Sequence, residues 1–193
     1  MAAVLKRREV VAQLLADRGE NLLVVPGLGQ PCYDCFAAGD DPRTFYLWGA
    51  MGGAVPVAIG LAVAQPEKRV LVITGDGEML MGLGSLTAAA AEGLPNLAVC
   101  VLDNERYGET GQQQTVTGRG TNLAAIAAGA GFASANLVTD AADVAAAVRQ
   151  LREEPGPVFV AFKVDDAPES PALPPKDGAY LKTRFREAVV GKI

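Results

Sequence analysis

Two short runs of β-branched and aliphatic residues, Val70-Leu71-Val72-Ile73-Thr74 and Leu97-Ala98-Val99-Cys100-Val101-Leu102, restrict this chain to very few folds. Each has the length and unbroken apolarity of a strand buried on both faces. Between them, Met79 to Ala91 is rich in Leu, Met and Ala and reads as a helix that Gly93 and Pro95 stop. A strand, helix, strand unit of this kind makes its two strands parallel, so both carboxyl ends reach one edge of the sheet. The segments leaving that edge are Gly75-Asp76-Gly77 and Asp103-Asn104. Asp76 and Asn104, 28 positions apart, are therefore expected to project into one crevice.

The same alternation runs through the rest of the chain. Lys6 to Arg18 reads as an amphipathic helix with Val10, Val11, Leu14 and Leu15 on its apolar side, and Leu22 to Val25 as the first strand. Pro31 opens a short helix to Ala38, Thr44 to Leu47 reads as a strand, and an Ala/Val/Ile helix follows to Ala64. Asn122 and Asp140 are placed to cap helices, a short strand runs from Phe132 to Leu137, and Val158 to Phe162 is the last strand. Repeated βα alternation predicts an α/β fold, a doubly wound parallel sheet flanked by helices. Residues 1–165 form one domain in this reading, and 166–193 a Pro- and acid-rich linker with a terminal helix, Tyr180 to Val190, that packs on the domain or on a partner.

A carboxylate and an amide oxygen are hard ligands of the kind Mg²⁺ takes, usually sharing its octahedral shell with substrate phosphates. Glycines on both sides of Asp76 let a phosphate approach the backbone, and the helix that follows turns its N-terminus toward such an anion. A Mg²⁺-diphosphate site is the expectation. A tight turn with Asp as a helix cap explains Gly75-Asp76-Gly77 alone, but not the second signal at matching spacing.

Gly75-Asp76-Gly77, 26 intervening residues and then Asn104 resembles the diphosphate-binding signature of thiamine diphosphate enzymes. The likeness runs from about Val24 to Val164 and implies the thiamine diphosphate-binding fold, with Asp76, Asn104 and the backbone carbonyl of Arg106 as Mg²⁺ ligands. Tyr107 and Gly108 fall in the same cofactor stretch. Family members carry a small hydroxyl residue where this chain has Glu78. A carboxylate there would repel a diphosphate, so Glu78 is expected to turn away or to pair with a cation. The upstream loop, Gly49-Ala50-Met51, fits the resemblance too. It implies that the Gly49 carbonyl accepts from the aminopyrimidine amino group and that Met51 is the wedge bending the cofactor. Ordinary packing is the alternative for Met51.

The polar stretch from Asn104 to Asn122, with two arginines, three glutamines and four threonines, is long for a βα connection, where about 2–6 residues is usual. It is expected to lie over the crevice as a lid that orients an anionic substrate. Tyr107 to Gln112 with Gln114 and Thr115 resembles the matching stretch of sulfopyruvate and phosphonopyruvate decarboxylases, which act on 2-keto acids bearing a second anionic group. Gln112, Gln114 and Thr115 are the substrate-loop candidates, and Glu109 is a candidate proton donor by position alone.

The resemblance implies decarboxylation of such a 2-keto acid to an aldehyde. It also implies a separate α subunit that binds the pyrimidine and supplies an activating glutamate, making an α/β hetero-oligomer. Two rivals are the β subunit of a 2-oxoacid:ferredoxin oxidoreductase and a non-catalytic interaction domain. Cys32-Tyr33-Asp34-Cys35 could be a redox pair, half a zinc site or part of a cluster, but only Cys100 remains to join it and histidine is absent. Incidental small residues near a helix start is the reading. With 17 basic against 22 acidic residues, a net charge of −5 and no basic block, nucleic acid is excluded as a partner. No apolar run approaches a membrane span and no signal peptide is visible, which predicts a cytoplasmic protein.

Overall fold

The computed structural model describes residues 4–170 and 172–191. Five parallel strands make the central sheet: β1 (Leu22–Pro26), β2 (Arg69–Gly75), β3 (Leu97–Asp103), β6 (Ser134–Val138) and β7 (Val158–Lys163), in the spatial order β1-β2-β3-β7-β6. A separate antiparallel pair, β4 (Arg106–Tyr107) and β5 (Gln113–Gln114), stands outside it. The helices are α1 (Arg7–Leu15), α2 (Gln30–Ala37), α3 (Ala54–Ala64), α4 (Asp76–Met81), α5 (Ser85–Glu92), α6 (Leu123–Ala130), α7 (Ala141–Glu153) and α8 (Gly178–Val190). This is the doubly wound α/β architecture that the βα alternation predicts.

Strand side chains alternate between two cores, which is why every central strand is apolar throughout. Val24, Leu71, Ile73, Cys100, Leu102, Val160 and Phe162 face α1, α2 and α7. Leu23, Val25, Val70, Val72, Val99, Val101 and Phe159 face α3, α5 and α6. Burying both faces removes the polar positions that a one-sided strand would show. Asn122 and Asp140 cap α6 and α7 as expected, accepting from the N–H groups of Ala125 and Ala142. Among the described residues, no helix is long and apolar enough to cross a membrane.

Three elements depart from the sequence reading. Thr44 to Leu47 is no regular strand. It runs beside β1 through a single bridge, Val24 with Thr44, and through Phe45 and Leu47 N–H groups donating to Val24 and Pro26 carbonyls. The helix expected from Met79 to Ala91 is two helices, α4 and α5, broken at Gly82-Leu83-Gly84. The break brings in the loop before α3: a Cβ on Gly82 would sit 2.4 Å from the Gly52 carbonyl oxygen. Phe132 precedes the strand expected to begin there, because Gly131 at φ +105° ends α6 and the extended backbone starts at Ser134.

The C-terminal segment turns back onto this body. The Trp48 indole N–H donates to the Pro175 carbonyl at 2.9 Å, Arg184 pairs with Asp40 at 2.7 Å, and the Phe45 and Phe185 rings lie 5.4 Å apart. Helix α8 thus covers the β1 side of the sheet, where the irregular 44–47 segment would otherwise expose its edge.

Candidate active site

A cavity of about 520 Å³ opens at the carboxyl edge of the sheet. Its walls come from the residues after β1 (Leu28, Gln30, Pro31), after β2 (Gly75, Asp76, Gly77), after β3 (Leu102, Asn104, Arg106 to Thr110, and Gln113), from Met51 and Met81, and from Arg7 on α1. Asp76 and Asn104 meet there, as the βαβ argument requires. A crevice outside the strand carboxyl ends is where open α/β sheets place their ligands.

Asp76 opens helix α4 and is 1% exposed. Its Oδ2 accepts from the Thr115 hydroxyl at 2.6 Å and from the Thr117 hydroxyl at 3.2 Å. The single Thr117 hydroxyl hydrogen is shared with Asp103 Oδ1, the nearer acceptor at 2.7 Å, so the two buried carboxylates are bridged by one hydroxyl. Their charges are treated unequally. Asp103 pairs with Lys163 at 2.9 Å, whereas no Lys or Arg among the described residues pairs with Asp76. Burial pushes the Asp76 carboxyl up to about 6, against the two threonine bonds and with the help of neighbouring Asp103. A buried carboxylate without a cation, opening onto a cavity, suits a cation that arrives with a ligand.

Asn104 is also buried, and its Oδ1 accepts the Arg106 N–H at 3.1 Å. That bond pulls the Arg106 backbone around Glu105, which takes the left-handed conformation at φ +62°. Among the described residues no three His, Cys, Asp or Glu side chains cluster as they would around a metal. A site of one carboxylate, one amide and a backbone carbonyl would be of a different kind, and Asp76 and Asn104 carry hard oxygens that suit it.

Glu78 turns away from the cavity, one of its two expected outcomes, and no Lys or Arg among the described residues pairs with it. Its Oε2 accepts from the Thr74 hydroxyl at 2.8 Å, and a Cβ on Gly27 would overlap that oxygen at 1.6 Å. Burial raises its carboxyl above the ordinary range. The N–H groups of Leu28, Gly52 and Ala54 oppose that, yet Oε1 is left without a hydrogen-bond partner.

The 104–122 stretch is more ordered than a lid. Arg106 and Tyr107 pair with Gln114 and Gln113 as a small hairpin, 3₁₀ turns fill Gly108–Thr110 and Val116–Arg119, and Lys163 ties Glu105 down at 2.7 Å. The residues it turns to the cavity are not the expected three. Gln112 and Gln114 are exposed and stand outside the cavity lining, and Thr115 is buried with its hydroxyl on Asp76. Glu109, Thr110 and Gln113 line it instead. The pairing shifts the register by one, and polar side chains of a two-residue strand carry no hydrophobic alternation that would reveal it. Met51, 41% exposed at the rim, is not core packing, while the exposed Gly49 and half-buried Ala50 are outside the lining.

Arg7, Gln30 and Asp34 were not among the sequence candidates. Arg7 and Gln30 reach the cavity wall, and Arg7 is held by the buried Asp34. The thiols of Cys32, Cys35 and Cys100 are buried in the core and raised by that burial, and none lines the cavity. Cys32 points its S–H at the Pro26 carbonyl at 3.6 Å, which agrees with packing rather than chemistry.

Residues 31–162 match the model of the C-terminal TPP-binding domain of thiamine pyrophosphate enzymes. The chain belongs to that family. It is a diphosphate-binding (PP) domain related to the β subunits of sulfopyruvate decarboxylase. It is 33% identical to the subunit beta of Methanocaldococcus jannaschii over 95% of this chain and 97% of that one. With the subunit beta of Methanothermobacter thermautotrophicus it shares 37% identity over 89% of each. It is 34% identical to the phosphonopyruvate decarboxylase of Streptomyces viridochromogenes, over 80% of this chain but 38% of that longer one. Its fold is shared, at a TM-score of 0.73 and 22% identity, with a protein of Mycobacterium smegmatis described as a candidate thiamin diphosphate-dependent enzyme, covering 86% of this chain and 33% of that one.

Proposed function

We propose that this PP domain is the diphosphate- and Mg²⁺-binding subunit of a split 2-keto acid decarboxylase whose substrate carries a second anionic group. The observation that carries this reading is Asp76. A buried carboxylate whose side-chain partners among the described residues are hydroxyls alone, sharing a cavity wall with Asn104, is one that a divalent cation would stabilise. Asp76, Asn104 and the Arg106 carbonyl would hold Mg²⁺, while Gly75, Gly77, Tyr107 and Gly108 surround the diphosphate. The Gly49 carbonyl and Met51 would set the pyrimidine end. Thiamine diphosphate, when bound, supplies the carbon nucleophile and electron sink that let a 2-keto acid lose CO₂ and leave as an aldehyde.

The chain's own residues bind, orient and exclude water. Glu109, which lines the cavity with Thr110 and Gln113, would be the proton donor. Gln112, Gln114 and Thr115 act on the hairpin's shape and on Asp76 rather than on the substrate. A pyrimidine-binding α subunit would supply the activating glutamate, as the names of the β-subunit relatives suggest.

Calorimetric titration of thiamine diphosphate with Mg²⁺, into the chain alone and into the chain co-expressed with a candidate α subunit, tests the reading. Tight binding and CO₂ release only in the complex are expected, with Asp76→Ala abolishing cofactor retention. Unchanged affinity in Asp76→Ala would remove the assignment.

A further inference from the structure

Behind Asn104, a chain of hydrogen bonds runs back to the first helix of the fold. Asp34, 1% exposed, accepts from Arg7 Nε, from Arg7 Nη2 at 3.4 Å and from Arg8 Nε at 3.1 Å. Arg7, itself 4% exposed, donates from Nη1 to Gln30 Oε1 at 2.8 Å. The same Gln30 oxygen accepts from Asn104 Nδ2 at 3.3 Å. A guanidinium donates and never accepts. The Gln30 atom facing Arg7 must therefore be the oxygen. Because that oxygen only accepts, the Asn104 atom facing it must be the nitrogen. Asn104 Oδ1 is left for the Arg106 N–H at 3.1 Å and for a cation.

An asparagine amide can otherwise lie either way round, exchanging oxygen for nitrogen at little cost in shape. A Mg²⁺ ion accepts only one of the two orientations. Resting on the proposed cofactor role, we infer that Arg7 is a positioning residue: fixed by Asp34 and acting through Gln30, it enforces, together with the Arg106 N–H, which end of Asn104 faces the metal. The charge on Arg7 does this without touching the ion. Gln30 is a relay whose own orientation is dictated from the other side.

Mn²⁺ serves as a paramagnetic probe for the metal, titrated into the complex of this chain with its co-expressed α subunit at saturating thiamine diphosphate and followed by the EPR signal of free ion, against a protein-free control. Arg7→Met and Gln30→Met should each weaken Mn²⁺ binding by about tenfold or more, the usual effect of losing an outer partner of a metal ligand. Arg7→Lys, still a pure donor, and Gln30→Glu, still an acceptor, should keep the affinity within about threefold. An Asp at position 104 offers oxygen at both ends, so orientation no longer matters there. In the Asn104→Asp background, Arg7→Met and Gln30→Met should cause no further loss.

Equal losses in both backgrounds would show a general structural role and overturn the inference, as would unaltered Mn²⁺ affinity in both methionine variants. Should Arg7→Met fail to fold, Gln30→Met leaves the buried Arg7–Asp34 pair intact and carries the same comparison. A wild-type complex that takes up no Mn²⁺ with thiamine diphosphate would overturn the cofactor reading itself, and the inference with it.

Discussion

Asp76 and Asp103 are buried carboxylates that share the Thr117 hydroxyl, yet among the described residues only Asp103 of the two has a cation, Lys163, at 2.9 Å. The consequence is a measurable debit at a single residue. The folded-state carboxyl of Asp76 titrates at about 6 against an ordinary 3.8, so the folded protein holds that proton more tightly than the unfolded chain. Ionisation therefore subtracts stability as pH climbs from about 4 through about 6, and subtracts all of it above, at most about 3 kcal/mol. Asp76→Asn keeps an oxygen for the Thr115 hydroxyl and carries no charge. In metal-free protein at pH 7.5 it should be more stable than wild type to urea by about 1–3 kcal/mol, with the gap closing by about pH 4. Adding Mg²⁺ and thiamine diphosphate should stabilise the wild type and leave Asp76→Asn where it was. An Asp76→Asn protein no more stable than wild type at pH 7.5 would mean that the carboxylate is already compensated.

At the scale of elements, the loop after β1, the loop before α3 and the α4–α5 break are fastened to one another, and glycines set their spacing. Gly52 has φ +82°, and a Cβ there would lie 2.8 Å from the Gly82 nitrogen. Gly52→Ala meets both the left-handed strain and the backbone contact, so a loss of about 2–3 kcal/mol in urea unfolding is expected. Cofactor affinity should fall with it, because Met51 and Met81 ride on the two segments being forced apart. A variant as stable as wild type would show that the loops are not in register. The parallel strands were legible because burial on both faces leaves an unbroken apolar run, as in Leu71, Val72 and Ile73. The joint of Asp76 and Asn104 was legible because a right-handed crossover leaves the two strand ends little choice. The helix break was not, although Gly82 and Gly84 stand in the sequence. A glycine weakens a helix by only about 1 kcal/mol, and it takes the neighbouring Gly52 backbone to decide the matter. The hairpin of Arg106–Tyr107 with Gln113–Gln114 is too short and too polar to show periodicity. Arg7 and Asp34 lie 27 positions apart and find each other only because α1 packs on α2, a contact that no local pattern announces.

On the scale of the whole molecule, the cofactor cavity has one wall supplied here and an apolar rim that faces solvent. Met51 is 41% exposed and Met81 58%, both on the cavity lining, and Val57 and Val63 on α3 are 37% and 56% exposed. The edge beside β1 is different: α8 covers it and is pinned by Arg184 and Phe185. The exposed side is therefore where a second body, the proposed pyrimidine-binding subunit, would close the cavity. Single-chain relatives agree in proportion, since this chain spans 38% of the phosphonopyruvate decarboxylase of S. viridochromogenes. Met81→Lys separates the two roles of the rim. An exposed side chain contributes little to folding, so the isolated variant should match wild type within about 0.5 kcal/mol. Burying a lysine against a partner's apolar surface is unfavourable. The co-expressed complex should then dissociate at concentrations where wild type stays assembled, read by sedimentation velocity. Thiamine diphosphate retention should fall with it in the co-expressed sample. If the complex assembles as tightly as wild type, the partner seats elsewhere and the Met51–Met81 rim opens to solvent as a substrate entrance.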